Sequence, residues 1–103
     1  MSFGAFVATG GQLISIKNGK KIFLNNCTAC HGVNGDGDGP AAKAINGAKP
    51  RDFTTGIFKY GRSESEIFNT ITKGISGTAM PPWNSLSQSD RKSVVKYILT
   101  LKK

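Results

Sequence analysis

The chain has 103 residues, 38% of them hydrophobic, and 14 Lys and Arg against 6 Asp and Glu give it a formal charge of +8. That length fits one small domain, no apolar run approaches the ~18–20 residues of a membrane span, and no repeat points to a solenoid. Small chains bury a low fraction of their surface, so this apolar content makes a thin core unless a bound group adds apolar surface of its own.

Residues 1–14 are uncharged, apolar and glycine-rich. A secretory signal would open on a positive stretch and close on a small-residue cleavage site, and neither is evident. They read as an N-terminal extension of unknown role whose Phe3, Phe6 and Val7 are available to pack on the domain. The domain itself is expected over 15–103, opening with a helix over 15–30. Ile16, Gly19, Phe23 and Cys27 recur there at steps of three and four and share a face. Gly19 costs such a helix up to about 1 kcal/mol relative to Ala, which predicts that a second helix crosses closely at that point.

That helix ends in the run Cys27-Thr28-Ala29-Cys30-His31, which contains every cysteine and the lone histidine of the chain. Structural zinc needs four ligands, and no second Cys/His pair exists to complete them. A redox dithiol belongs at the end of a strand in a βαβ unit, whereas Lys20–Asn26 reads as helix. A disulfide across two residues would be strained and would close almost no loop. Covalent haem attachment accounts for the spacing best. Each thiol adds to one vinyl group, two intervening residues make one helical turn that presents both sulfurs to the same edge, and His31 then meets the iron. Thr28 and Ala29 are small and leave the ring unobstructed.

Residues 32–62 carry seven glycines with Pro40 and Pro50, an unusually long loop for a compact domain. It suits a segment that wraps a flat cofactor. A short helix is expected within 39–47, with proline at its start and glycine past its end. Asp36 and Asp38 faintly resemble a calcium loop but lack its downstream glutamate, and read as turn residues. A helix over 63–73 follows, opened by a capping box of Ser63 and Glu66, lined by Ile67 and Ile71 and ended by Gly74. The last helix is expected over 87–103, opened by Ser87 and Asp90, with Val94, Tyr97, Ile98 and Leu101 as its inner stripe. Its lysines form a solvated face, and those at its end suit the helix dipole.

A low-spin haem needs a second axial ligand. With no second histidine and both thiols consumed, the candidates are Met1, at a terminus, and Met80. Met80 lies in Gly77-Thr78-Ala79-Met80-Pro81-Pro82-Trp83, where Pro81 pushes it into an extended conformation and two prolines lower the entropy lost on holding its sulfur. A methionine that merely fills a core gap, or one of the eleven lysines as ligand, are the competing possibilities.

Over residues 15–103 the chain resembles the bacterial class I cytochromes c, which carry a single haem. The resemblance rests on Cys27–His31, Gly32, the Gly-Asp-Gly-Pro run ending at Pro40, the Met80-Pro81-Pro82-Trp83 loop and the last helix with Tyr97. It implies an all-α fold of three main helices plus short ones, with long glycine-rich loops wrapped around one covalently bound haem. First and last helices would cross near a right angle, with Gly19 and Phe23 against Tyr97. The carbonyl of Pro40 would accept the Nδ1–H of His31. Arg51, Tyr60 and Trp83 would meet the haem propionates, although Arg51 could instead pair with Asp52 and Trp83 could be core.

The function this implies is one-electron transfer by a carrier that is not an enzyme. Haem c would be attached through Cys27 and Cys30, with His31 and Met80 on the iron. His/Met ligation raises the potential above that of bis-histidine sites. A basic rim would steer acidic redox partners, a reductase or oxidase of a respiratory chain, into small transient complexes. Haem is attached outside the cytoplasmic membrane, so the expected location is the periplasm, and the expected state a monomer. No nucleic-acid motif accompanies the high charge. A haem enzyme or gas sensor with an open distal site would offer a polar distal group, which the Met80 loop lacks. A start at Met1 and an end just past the last helix favour a free carrier over a domain of a larger oxidoreductase.

Overall fold

The computed structural model describes residues 10–47 and 49–103, which form helices and no strand. The order is α1 (Gly10–Asn26), α2 (Thr28–His31), two 3₁₀ turns at Ala42–Ala44 and Phe53–Thr55, α3 (Glu64–Lys73) and α4 (Gln88–Leu99). Phe3, Phe6 and Val7, which the sequence offers as packing residues, lie outside the described residues.

Helix α1 starts at Gly10 rather than at residue 15. Leu13 and Ile14 on its opening turns are 53% and 65% exposed, so these turns bury too little to leave a periodic signal. The helix also stops at Asn26, and Cys27 begins the separate turn α2. Both the Cys30 and His31 amides donate to the Cys27 carbonyl, at 3.3 and 2.9 Å.

Packing of α1 on α4 is the most extensive helix contact in the fold, and α3 packs on α4. The expected close crossing is at Gly19. A β-carbon there would lie 2.0 Å from the Ser93 carbonyl oxygen and 2.9 Å from Tyr97 Cβ. One turn on, Phe23 is fully buried, with its ring centroid 5.3 Å from that of Tyr97.

The loop after α2 folds back over the attachment turn. Gly37 donates to the His31 carbonyl at 2.8 Å, Gly39 to Cys30 at 2.9 Å and Ala41 to Ala29 at 2.7 Å. A β-carbon on Gly39 would lie 2.4 Å from the carbonyl oxygens of both Thr28 and Ala29, so only glycine fits there. The short helix expected in 39–47 is a single 3₁₀ turn. The second 3₁₀ turn was not anticipated. It is capped by Asp52, whose Oδ1 accepts from the Thr54 amide at 2.9 Å and from the Thr54 hydroxyl at 2.5 Å.

Helix α3 has the anticipated capping box. The Glu66 amide donates to Ser63 Oγ at 3.2 Å, and the Ser63 amide donates to Glu66 Oε1 at 3.2 Å. At Ser87 the hydroxyl cap forms, taking the Asp90 amide at 3.0 Å. Helix α4 ends at Leu99, short of residue 103, because the chain turns away. Thr100 and Leu101 make tighter bonds to Tyr97 and Ile98, and the Lys103 amide donates to the Thr54 carbonyl at 2.9 Å. Lys102 and Lys103 therefore lie beyond the helix, and Lys96 is the basic residue of its last turn.

Two outcomes test this account. Gly19→Ala gains about 1 kcal/mol of helix propensity but places a methyl against backbone, which no side-chain rotation relieves. A net destabilisation of ~1–3 kcal/mol is expected in denaturant unfolding of the holoprotein. The Ser63 hydroxyl and amide hold the Glu66 carboxyl below the usual carboxylate range. The stability this carboxylate contributes is therefore complete above the ordinary glutamate range and is lost as pH falls through the lowered value. Glu66→Gln should flatten that part of the acid-unfolding curve, and Ser63→Ala should cost ~0.5–2 kcal/mol at neutral pH.

Candidate functional site

A cavity of about 540 Å³ opens between α1, α2, α3, α4 and the loops that join them. Its walls are the hydrophobic core. Of the buried cluster Phe23, Phe53, Ile67, Ile71, Val94, Val95 and Ile98, all but Val95 line it. The thin core anticipated from composition is thus a shell around a space that a large apolar group would fill.

Cys27, Cys30, His31 and Met80 all line this one cavity, and so do Arg51, Tyr60 and Trp83. Pro40 does not. The Nδ1 of His31 lies 3.1 Å from the carbonyl of Arg51, not of Pro40. The physical reason is the fold-back of 37–41. Main-chain bonds tie that segment to the carbonyls of Ala29, Cys30 and His31, and it is Pro50, Arg51 and Phe53 that line the cavity with the imidazole. A carbonyl only accepts, so Nδ1 carries the proton and Nε2 keeps its lone pair. Burial lowers the His31 pKa, and the Arg51 carbonyl opposes that in part. Burial thus favours the neutral ring, the form in which an imidazole binds a metal.

Cys27 lacks the lowered pKa of a reactive thiol. Both cysteines are free, and burial, with the Cys30 charge adding to it, pushes Cys27 up to about 11. Reactive dithiols have lowered values. Among the described residues no group of three or more His, Cys, Asp or Glu converges, so the zinc alternative lacks its ligands.

The Met80 loop is held by its own main chain. The Ile75 amide donates to the Met80 carbonyl at 3.1 Å, and the Trp83 amide donates to the Ile71 carbonyl at 2.8 Å. The Thr78 hydroxyl donates to the Ile75 carbonyl at 2.7 Å and accepts the Met80 amide at 3.2 Å. Gly74, with φ of +67°, lets the chain reverse, and a β-carbon there would strike Met80 and Pro81 backbone within 2.8 Å. Trp83 is half-buried and packs against the core cluster as well as lining the cavity.

Every charged side chain on the cavity wall is basic: Lys49, Arg51 and Lys59. All three are exposed, as is Tyr60, over whose ring Lys59 Nζ sits at 5.4 Å. The surface pairing of Arg51 with Asp52 does not form. Asp52 caps the 3₁₀ turn, and the one ion pair among the described residues is Lys96–Glu64 at 3.3 Å. Sequence reasoning missed Lys49, whose ammonium bonds the carbonyls of Ala42 and Ile45. It also missed Phe53, whose ring stacks on His31 with centroids 4.5 Å apart.

The sequence matches the family described as Cytochrome c over residues 16–102. The chain belongs to the cytochrome c family. A cytochrome c domain carries covalent haem, and Cys27 and Cys30 have the spacing for it. Among curated proteins it is 36% identical to the cbb3-type cytochrome c oxidase subunit FixP of Azorhizobium caulinodans, over 91% of this chain and 30% of that one. It is 38% identical to FixP of a Bradyrhizobium species over 81% of this chain and 26% of that one. It is 35% identical to subunit CcoP of Azospirillum brasilense, over 82% and 28%. The chain thus spans under a third of these curated relatives.

Among solved structures, the Kuenenia stuttgartiensis reducing HAO-like protein complex Kustc0457/Kustc0458 superposes with a TM-score of 0.82 at 37% identity, over 97% of this chain and 48% of that one. The KustC0563 c-type cytochrome superposes with a TM-score of 0.61 at 28% identity, over 82% and 98%. The all-helical cytochrome c domain implied by the resemblance is therefore the fold of this chain.

Apolar walls, two thiols on one turn, a neutral imidazole and a basic mouth suit haem, a flat apolar ring with two carboxylates. The Thr78 hydroxyl is the side-chain group that holds the Met80 amide in place. Thr78→Val should cost about 1 kcal/mol and speed hydrogen exchange at the Met80 amide, with exchange in α3 unchanged.

Proposed function

We propose that this chain is a periplasmic one-electron carrier, with haem c attached through Cys27 and Cys30 and its iron held by His31 and Met80. The observation that carries the reading is that those four side chains, from two distant segments, face one cavity walled by the core. When bound, the haem supplies a single electron exchanged between ferrous and ferric iron.

The chain's own residues do the rest. His31 presents Nε2 because the Arg51 carbonyl holds the proton on Nδ1, which also raises ligand basicity. Met80 presents its thioether from a loop fixed by Thr78, Gly74 and the prolines, so little rearrangement accompanies a change of charge. Phe23, Ile67, Ile71, Val94 and Ile98 exclude water. Lys49, Arg51, Tyr60 and Trp83, which line the cavity, are the candidate partners of the two carboxylates.

Exposed Lys49, Arg51 and Lys59 around the mouth, within a chain of +8, favour transient encounter with acidic redox partners at low salt. No described helix is long and apolar enough to cross a membrane. The periplasmic location follows from where haem is attached and accords with kinship to oxidase subunits.

A second reading has a specific observation behind it. The curated relatives are subunits of a cbb3-type oxidase and one structural neighbour belongs to an HAO-like complex, and this chain spans 30% of the FixP subunit and 48% of that neighbour. Here the same domain would relay electrons within an assembly of a respiratory chain. Purification from native membranes and periplasm separates the two: a free carrier runs at its own mass, a module co-purifies with its assembly.

The test of the site is optical. Holoprotein from a host with the attachment machinery should show a c-type ferrous spectrum, a weak ferric sulfur-to-iron band and no shift with carbon monoxide. Met80→Ala should abolish the ferric band and admit carbon monoxide. A wild-type spectrum that is high-spin and shifts with carbon monoxide would sink the closed carrier and point to sensing or catalysis.

A further inference from the structure

The Arg51 carbonyl touches His31 at one point. A single hydrogen bond restrains rotation of the imidazole about its Cβ–Cγ bond only within the angular tolerance of that bond, and the torsion has broad wells. The structure supplies a second contact. Phe53 lies against the imidazole with centroids 4.5 Å apart and planes 21° apart. Phe53 is itself 8% exposed and wedged between two other rings: Phe23 meets it edge-on at 6.3 Å, and Phe58 stacks on it at 5.7 Å.

The backbone bearing Phe53 is also tied down from both sides. Its amide donates to the Gly35 carbonyl at 2.7 Å, and the Thr54 carbonyl takes the Lys103 amide at 2.9 Å. Asp52 caps the turn through Thr54. One short segment, Arg51–Thr54, thus fixes the Nδ1 proton through its first residue and the ring plane through its third.

From this we propose that Phe53 is a positioning residue for the axial imidazole: it sets the rotational angle of His31, and Asp52 holds Phe53 in place to do so. The inference rests on His31 being an iron ligand. In a low-spin ferric haem the plane of the axial imidazole selects the orbital that holds the unpaired electron. The pattern of ring-methyl proton shifts therefore reports that plane, whereas a merely structural core residue would leave it unmoved.

The experiment is proton NMR of ferric holoprotein for wild type, Phe53→Leu, Phe53→Tyr and Asp52→Ala. Leucine keeps apolar bulk without a flat face, and tyrosine keeps the face. Phe53→Leu should change the order or spread of the ring-methyl shifts and speed exchange of the His31 Nδ1 proton about two- to tenfold. Phe53→Tyr should keep the wild-type pattern, and Asp52→Ala should move it in the direction of the leucine variant. An unchanged pattern in Phe53→Leu, or an equal change in Phe53→Tyr, overturns the proposal. If Phe53→Leu does not accumulate folded, Asp52→Ala decides, and a wild-type pattern there overturns it. A wild-type protein that is not low-spin, or whose His31 is unbound, refutes the ligand reading instead and is told apart by its own spectrum.

Discussion

The carbonyl oxygen of Ser93 occupies the space where residue 19 would carry a side chain. That approach of two backbones fixes the rest. It seats α1 on α4 so that Phe23, one turn on from Gly19, is fully buried against Tyr97. It carries α1 onward to deliver Cys27 and the turn α2 to the cavity rim. Phe23 also faces His31, at 6.5 Å between ring centroids, so the helix crossing and the imidazole share a neighbour. A shift of α1 along α4 would move both thiols and the ligand ring together.

The core of this protein is a lining. Six of the seven residues of the buried cluster pack on one another and also face a common space, which an apolar group would fill. A group that fills it adds apolar contacts to the folded state, and covalent attachment makes that gain independent of free concentration because the group stays on the chain. The low apolar content of the sequence accords with this, because a haem in the cavity would bring apolar surface of its own.

Much of this was legible in the residues. Cys27, Cys30 and His31 stand out because the chain has no other cysteine or histidine, and Gly19 because a glycine inside a helix needs a reason. Ser63, Glu66 and Gly74 mark both ends of α3. What stayed hidden was carried by groups without a side-chain signature. The acceptor for His31 is a main-chain carbonyl, and every residue has one, so the resemblance pointed to Pro40 where the fold uses Arg51. The start of α1 was obscured by the exposure of Leu13 and Ile14, and the end of α4 by the long-range bond from Lys103 to Thr54. The capped turn at Phe53 had a visible cue, Asp52 two residues before Thr54, but such pairs are common in loops that form no helix.

That bond from Lys103 has a bearing on the order of assembly. The attachment turn lies early in the chain, whereas Gly35 and Thr54 are secured from its far end, by the Leu101 side chain packed at Gly35 and by the Lys103 amide. Contacts so distant in sequence carry the larger closure entropy. While the chain is being made, the two thiols stand just ahead of a segment whose partners at Leu101 and Lys103 do not yet exist. The order of residues along the chain thus leaves the loop behind the attachment turn without those contacts until the last residues are in place.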